Sequence, residues 1–179
     1  MMIASDIHGS NSYCLEMMEA FEREKAETLL LLGDLLHHGP RIKHPGTYDR
    51  KDTAALLNGI KERILCVRGN CDTEEDQKKL DFPIMDDYRL LYVNGRTIFA
   101  THGHIFNTRN LPALPSGYIL LHGHTHIPAW KTLRGGNIYV NPGSVSMPRG
   151  DSKNSYMMLT DEGMFWKYLD GSIYHTERL

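Results

Sequence analysis

The first third of the chain places short apolar runs between stretches of helical period. The runs "MMIAS" (1–5), "TLLLLG" (28–33) and "ILCVRG" (64–69) are almost continuously apolar, as expected of strands that are buried on both faces. Between them lie two segments, near 11–25 and 49–62, whose apolar residues recur every three or four positions. This order of strands and helices predicts right-handed crossovers on a parallel sheet.

The rest of the chain has the pattern of antiparallel strands. "YRLLYV" and "RTIFAT" flank Asn94-Gly95, which is the strongest short signal for a β-hairpin. A further apolar strand is expected over 118–123, a second hairpin around Gly135-Gly136, and a meander from residue 155 onward. One α/β domain over 1–179, with two sheets packed face to face and helices outside, accommodates both halves.

Side chains that can bind metals follow five of the predicted strands. In open α/β sheets, sites form beyond the carboxyl ends of the strands, so donors that are distant in sequence can converge there. The five clusters are Asp6 with His8, Asp34, Asn70 with Cys71 and Asp72, His102 with His104, and His124 with His126.

Each cluster taken alone has an ordinary structural explanation. A single Asp after a strand is usually a turn residue or a helix N-cap, and Asn70 beside Gly69 suits a turn. Asp72 is expected to cap a helix over "TEEDQKKL". The recurrence of donors at the same structural position favours a metal site instead, because buried Asp and His clusters are costly without a compensating ion.

The donor types narrow the class of metal. Carboxylates, imidazoles and one amide occur without paired thiolates, which excludes a structural zinc knot and favours Mn²⁺, with Zn²⁺, Fe²⁺ or Ni²⁺ as alternatives. Seven candidate ligands are too many for one ion. They suit two ions, with one carboxylate bridging them across roughly 3.5–4 Å.

Five motifs resemble, in their order along the chain, those of the calcineurin-like metallophosphoesterase superfamily. They are "DIHG", "GDLLHHGP", "RGNCD", "THGH" and "GHTH". The chain is most similar to the small bacterial and archaeal phosphodiesterase branch, which also gave rise to a eukaryotic retromer subunit. The resemblance runs from the first residue past "NPGSVSMPRG" (141–150), a loop expected near the metals. It implies a four-layer α-β-β-α sandwich of two mixed sheets flanked by helices.

The resemblance also implies a role for each ligand. One metal ion would be held by Asp6, His8 and His126. The other would be held by Asn70, His102 and His124, and Asp34 would bridge both ions. His122 matches no ligand of the family and is interpreted either as a residue at the end of a strand or as one that supports the ligands.

The chain departs from the wider superfamily at one position. Many members carry His after the Asn, where it is thought to stabilise the transition state or protonate the leaving group, and this chain has Cys71. Cys71 and, as a substitute proton donor, His104 are therefore the candidate catalytic residues. Arg41 and Arg149 are candidate contacts for phosphate oxygens, and the alternative for each is a solvated loop charge.

Composition excludes several other classes of function. A formal net charge of -2, without a long block of like charge, argues against a broad face for nucleic acid. No apolar run approaches the roughly 18 residues that span a bilayer, and the first residues lack the basic flank of a signal peptide. Three cysteines without a C-x-x-C pair favour reduced thiols in a cytoplasm.

Together these features predict a cytoplasmic, metal-dependent phosphodiesterase that acts on a small phosphodiester. A hydroxide that bridges two metal ions is expected to attack phosphorus in line. Two rivals stay open: a phosphomonoesterase on the same site, and a non-catalytic interaction module like the retromer subunit. The natural substrate, the native metal and the oligomeric state, a homo-oligomer included, stay open as well.

Overall fold

The computed structural model describes residues 1–37 and 47–178. Arg41, one of the two candidate phosphate contacts, lies outside the described residues. The α-helices within these ranges are α1 (Asn11–Arg23), α2 (Arg50–Asn58) and α3 (Glu74–Gln77). The strands are β1 (Met2–Ala4), β2 (Leu29–Leu31), β3 (Ile64–Cys66), β4 (Tyr88–Val93), β5 (Arg96–Thr101), β6 (Ile119–His122), β7 (Ala129–Thr132), β8 (Ile138–Asn141), β9 (Ser155–Thr160), β10 (Gly163–Tyr168) and β11 (Ile173–Glu177).

The strands form two mixed sheets, as predicted. The first sheet has the order β11-β10-β9-β1-β2-β3, in which β1, β2 and β3 are parallel and β9, β10 and β11 are antiparallel. The second sheet has the order β4-β5-β6-β8-β7, with parallel strands at its centre and an antiparallel hairpin partner at each edge. The two predicted hairpins and the final meander are therefore confirmed.

The parallel strands β1, β2 and β3 of the first sheet are largely buried on both faces, which explains their continuous apolar runs. Met2 and Leu29 face α1 and α2, whereas Ile3 and Leu30 face the second sheet. The alternation along β1 and β2 thus sends successive side chains into two different cores. Trp166, fully buried on β10, belongs to the core between the sheets.

The outer face of the second sheet is covered differently. Phe99, Leu120 and Tyr139 form a small cluster there, against which Phe106 and Leu114 pack. These last two residues belong to the connection 103–117, where the described chain has no α-helix. The connection contains Pro112 and Pro115, which oppose helix formation.

Both predicted helices of the first third exist, but they end earlier than their apolar spacing indicates. α2 ends at Asn58, because Gly59 caps it and Ile60 has already left the helical conformation. α1 ends at Arg23, and Lys25 lies beyond it with φ of 50°. None of the described helices has the length and apolar character that a membrane crossing requires.

Trp166 ties the two sheets together, which gives a test of the packing. Its Nε1–H donates to the carbonyl of Asn141 on β8 over 2.7 Å. Trp166→Phe keeps an aromatic ring but removes this buried hydrogen bond, so the free energy of unfolding should fall by about 0.5–1.5 kcal/mol. Trp130→Phe is the matched control, because Trp130 is 37% exposed, and it should cost less. Chemical denaturation measures both, and equal losses would contradict the assigned role.

Candidate metal centre

The predicted ligands lie together where the parallel strands of both sheets end. Asp6 and His8 follow β1, Asp34 follows β2, and Asn70 follows β3 of the first sheet. From the second sheet, His102 follows β5 and the pair His124 and His126 follows β6. Two sheets packed face to face bring these strand ends to one edge, as the rule for open α/β sheets predicts.

Asp6, His8 and His126 form the first trio of donors. The Nε2 atom of His126 lies 3.2 Å from Oδ1 of Asp6 and 3.3 Å from Nε2 of His8. The Nε2 atom of His8 lies 3.6 Å from the same carboxylate oxygen. Ligand atoms about 2.0–2.2 Å from a shared ion are separated by roughly 2.8–3.6 Å in tetrahedral or octahedral geometry. The spacing of this trio therefore fits one ion.

Asn70, His102 and His124 form the second trio. The Nε2 atom of His102 lies 3.0 Å from Oδ1 of Asn70 and 3.1 Å from Nδ1 of His124. These separations fall in the same range as those of the first trio. The donors that the resemblance assigns to the second ion therefore also lie close enough together for one ion.

Asp34 stands between the two trios. Its Oδ2 atom is 3.7 Å from Nε2 of His8 and 3.5 Å from Nε2 of His102. Its other oxygen accepts a hydrogen bond of 2.8 Å from the backbone N–H of Cys71. One oxygen is therefore fixed by the protein and the other faces both trios, which is the arrangement a bridging carboxylate requires.

Three of the histidines are oriented by backbone carbonyls. In each of three rings, Nδ1 lies 2.6–2.7 Å from a backbone carbonyl oxygen, which can only accept, so Nδ1 carries a proton and Nε2 is the atom left to bind an ion. The pairs are His8 with the carbonyl of His37, His102 with that of Leu32, and His126 with that of Met147. Burial acts to lower the pKa of His8, but the carboxylates of Asp6 and Asp34 raise it above its usual value, and a bound cation would take the place of that proton.

The buried carboxylate of Asp6 also suits a cation site. Its Oδ2 accepts from Ser5 Oγ at 2.7 Å and from the backbone N–H of His124 at 3.1 Å. Its Oδ1 is buried and has no hydrogen-bond partner among the described residues. Burial acts to raise the pKa of Asp6, but the imidazoles of His126 and His8 hold it well below its usual value, so the carboxylate is ionised.

Several ligands are held in a backbone conformation that side chains seldom adopt. Among the described residues, eight other than glycine have positive φ, and five of these are predicted ligands. The five are Asp6 (59°), His8 (50°), Asp34 (55°), His124 (64°) and His126 (61°). Such strain persists only where surrounding contacts enforce it and is concentrated at functional sites.

Asp72 does not cap a helix, so that expectation was wrong. The helix α3 is capped by Thr73 in a capping box. The buried carboxylate of Asp72 instead accepts three backbone hydrogen bonds of 2.8 Å, from Asp34, Leu35 and Gly69. Burial and the neighbouring Asp34 raise its pKa to about 6. Asp72 thus joins the loops after β2 and β3 and fixes the backbone of Asp34.

The loop 141–149 lies against the centre, as expected. The hydroxyl groups of Ser144 and Ser146 both donate to the carbonyl of Asp6 at 3.0 Å. The backbone N–H of Arg149 donates to the carbonyl of His126 at 3.1 Å, and the Arg149 side chain is exposed. The two serines were not among the predicted site residues, because a hydroxyl that positions a backbone carbonyl has no motif of its own.

Cys71 and His104, the candidate catalytic residues, differ in their distance from the ligands. Sγ of Cys71 lies with the donor atoms of His8 and Asp34 in a group that spans no more than 4.8 Å. Burial and Asp34 raise the pKa of this thiol to about 12, so it is neutral. The ring of His104 lies 5.4 Å from that of His102, and burial with the nearby histidines lowers its pKa below 6.5. Neither group is a cation near neutral pH.

His122 is buried at the end of β6 and its ring stacks on Tyr139, with centroids 4.4 Å apart. Burial lowers its pKa to about 4. It makes no ligand-like contact with either trio that the structure records. The prediction that His122 is not a ligand agrees with this placement.

Known proteins share this architecture. Residues 1–163 match the family model of the Calcineurin-like phosphoesterase superfamily domain. Phosphodiesterase YfcE of Escherichia coli K12 is 43% identical over 162 residues, which cover 90% of this chain and 88% of YfcE. A solved structure of YfcE, characterised as a phosphoesterase from E. coli, has a TM-score of 0.94 at 40% identity and covers 99% of this chain and 97% of that chain. The prediction of a calcineurin-like fold with two mixed sheets is thereby confirmed.

A more distant likeness concerns the fold alone. The structure of Vacuolar Protein Sorting 29 from Cryptosporidium parvum has a TM-score of 0.64 at 18% identity, and the match covers 99% of this chain and 96% of that chain. A shared fold at this identity carries no information about activity.

The bridging position of Asp34 predicts how metal binding responds to substitution. Asp34→Asn removes the charge that faces both trios, so the content of both ions should fall together from about two per chain. His126→Ala is the matched control, because it touches one trio and should leave about one ion. Elemental analysis after dialysis against a defined Mn²⁺ solution gives both numbers. Retention of two ions and of full turnover in Asp34→Asn would show that Asp34 is not the bridge.

Proposed function

The chain belongs to the calcineurin-like phosphoesterase superfamily, and we propose that it is a metal-dependent phosphodiesterase that hydrolyses a small phosphodiester. The observation that carries the proposal is the pair of donor trios that share one oxygen of Asp34. The 43% identity to Phosphodiesterase YfcE supports the choice of a diester.

The residues present fit two divalent cations. Asp6, His8 and His126 would hold one ion, the second trio would hold the other, and Asp34 would bridge them. Nitrogen and oxygen donors without paired thiolates suit Mn²⁺, with Zn²⁺, Fe²⁺ or Ni²⁺ as alternatives. Such a pair would supply Lewis acidity, which would offset the charge of the phosphate and activate a water for attack near neutral pH.

The protein's own contribution is to position these donors. Backbone carbonyls fix the tautomer of three histidines, Ser5 orients the Asp6 carboxylate, and Asp72 holds the backbone of Asp34. A site assembled in advance in this way needs no rearrangement as charge develops on the phosphate. Arg149, exposed beside His126, remains the described candidate for contact with a phosphate oxygen.

The charge around the centre favours a diester over a monoester. A phosphate monoester is a dianion near neutral pH and gains more from an adjacent cationic side chain than a monoanionic diester does. Here the position after Asn70 holds a neutral thiol, and the pKa of His104 is lowered. This argues against the phosphomonoesterase alternative. A non-catalytic interaction module has no physical need for seven inward-facing donors.

We also propose a cytoplasmic protein without a nucleic-acid or membrane partner. The support is the even charge distribution and three cysteines that are all free. The single domain over 1–179 stays a prediction, and the oligomeric state stays open.

Removal of the metal tests the proposal directly. Hydrolysis of bis(p-nitrophenyl) phosphate should vanish in chelator-treated protein and return on addition of Mn²⁺, with Zn²⁺, Ni²⁺ and Mg²⁺ compared in parallel. The rate on p-nitrophenyl phosphate, measured in the same series, should stay well below the diester rate. Full activity in protein shown by elemental analysis to be metal-free would rule out the mechanism.

Cys71 should influence the choice between diester and monoester. Because a neutral thiol adds little charge stabilisation, Cys71→Ala should lower diester turnover far less than Asp34→Asn does. Cys71→His introduces an imidazole that can be charged near neutral pH and should raise kcat/KM for p-nitrophenyl phosphate relative to the diester. Metal content is measured in each variant as the control. An unchanged ratio across the parent and both variants would show that this position does not set the preference.

A further inference from the structure

Asp76 on α3 has a fully buried carboxylate that belongs to neither donor trio. Its Oδ2 atom lies 2.7 Å from Nδ1 of His37, and its Oδ1 atom accepts from the guanidinium of Arg50 over 2.7 Å. Thr73 also donates to Oδ2, from its backbone N–H at 3.0 Å and from its hydroxyl at 2.8 Å. One carboxylate therefore joins the loop after β2, the start of α2 and the start of α3.

The contact between Asp76 and His37 is a charge-assisted hydrogen bond. Burial acts to raise the pKa of Asp76, but the hydrogen bonds from His37, Thr73 and Arg50 lower it below its usual value. The carboxylate is therefore ionised and can only accept, so Nδ1 of His37 carries the proton between them. A short hydrogen bond to a buried charge restrains the orientation of the His37 ring.

His37 is also held at its main chain, and there it contacts a predicted metal ligand. Its carbonyl oxygen lies 2.7 Å from Nδ1 of His8, and this contact leaves Nε2 of His8 to bind an ion. Because the ring and the carbonyl belong to one residue, the hydrogen bond to Asp76 also restrains the carbonyl that orients His8. Asp76 thus reaches the first trio through a single intervening residue.

The two side chains that meet opposite oxygens of Asp76 differ in what they contact beyond it. His37 and Arg50 both approach to 2.7 Å, and their side chains are 31% and 28% exposed. His37 continues to His8, whereas no hydrogen bond or ion pair joins Arg50 to a predicted ligand in the described part of the chain. Arg50 therefore gives Asp76 similar structural support without a link to the metal centre.

We propose that Asp76 and His37 are positioning residues for the first ion, the one assigned to Asp6, His8 and His126. The Asp76 carboxylate fixes the His37 ring, and the His37 carbonyl fixes the ring of His8, so that Nε2 of His8 is in place before the ion binds. We call these contacts the positioning relay. The inference rests on the proposed function and goes beyond it, because neither residue is a ligand. Loss of the relay weakens binding of the first ion more than that of the second.

The affinity for Mn²⁺, measured by isothermal titration of metal-free protein, tests the relay. His37→Ala removes the ring but keeps the peptide carbonyl and the contact between Arg50 and Asp76. The affinity for the first ion should fall about 10–100-fold, the usual cost of losing the support of a metal ligand. His37→Asn can still donate to Asp76 from its amide and should recover most of the affinity. Arg50→Ala is the matched control and should leave both affinities near the parent values.

Two further variants show which ion is affected. His124→Ala disables the second trio, and the ion that remains should still lose affinity when His37→Ala is added. His126→Ala disables the first trio, so the same addition should have little effect on the remaining ion. Electron paramagnetic resonance follows the series without turnover, because two Mn²⁺ ions bridged by a carboxylate are magnetically coupled. At two equivalents of Mn²⁺, His37→Ala should show more of the signal of an isolated ion than Arg50→Ala.

The outcomes separate the relay from general stability and from the proposed activity. Equal weakening in His37→Ala and Arg50→Ala, or parent-like affinity in His37→Ala, would overturn the relay and leave Asp76 a structural carboxylate. If His37→Ala does not fold, His37→Phe keeps the ring volume without the donor and carries the same expectation. Two Mn²⁺ ions bound by the parent without turnover of either nitrophenyl substrate would overturn the phosphodiesterase proposal alone. A parent that binds no Mn²⁺ would overturn the metal centre and the relay together.

Discussion

The structure depends on a buried cluster of carboxylates and imidazoles that lies where the strands of both sheets end. The Nε2 atoms of three histidines and the ionised carboxylate of Asp6 meet there, and Oδ1 of Asp6 has no hydrogen-bond partner among the described residues. Such a cluster is costly to bury unless its charges are balanced. The folded chain thus assembles donors that suit a cation, and membership of a phosphoesterase superfamily agrees with this arrangement.

The rest of the fold is organised to hold that cluster in place. The core between the sheets fixes the strand ends, and short loops then carry the donors in strained, positive-φ conformations. Asp72 clamps two of these loops through three backbone hydrogen bonds, and Ser144 with Ser146 anchors the carbonyl of Asp6. Stability gained in the core thus compensates for strain and desolvation at the site.

The surroundings of the centre differ in charge. The thiol of Cys71 is neutral and the pKa of His104 is lowered, so neither side chain adds a cation beside the ligands. A cavity lined in part by His104 and His124 carries permanent cations at Arg109 and Lys131.

The sequence by itself determined the succession of strands and helices along the chain, the hairpins and seven candidate donors, because apolar runs that end in Asp, Asn or His are local signals. It did not determine where helices stop, since Gly59 and Lys25 depend on the turns that follow α2 and α1. The role predicted for Asp72 was also wrong. Its sequence context does not distinguish the N-cap of a helix from a carboxylate that accepts hydrogen bonds from the backbone of two loops. Two further features are matters of contact between the sheets: which oxygen of Asp34 faces both trios, and that His122 borders a cavity. Only the tertiary structure decided these, because each depends on distances between residues far apart in the chain.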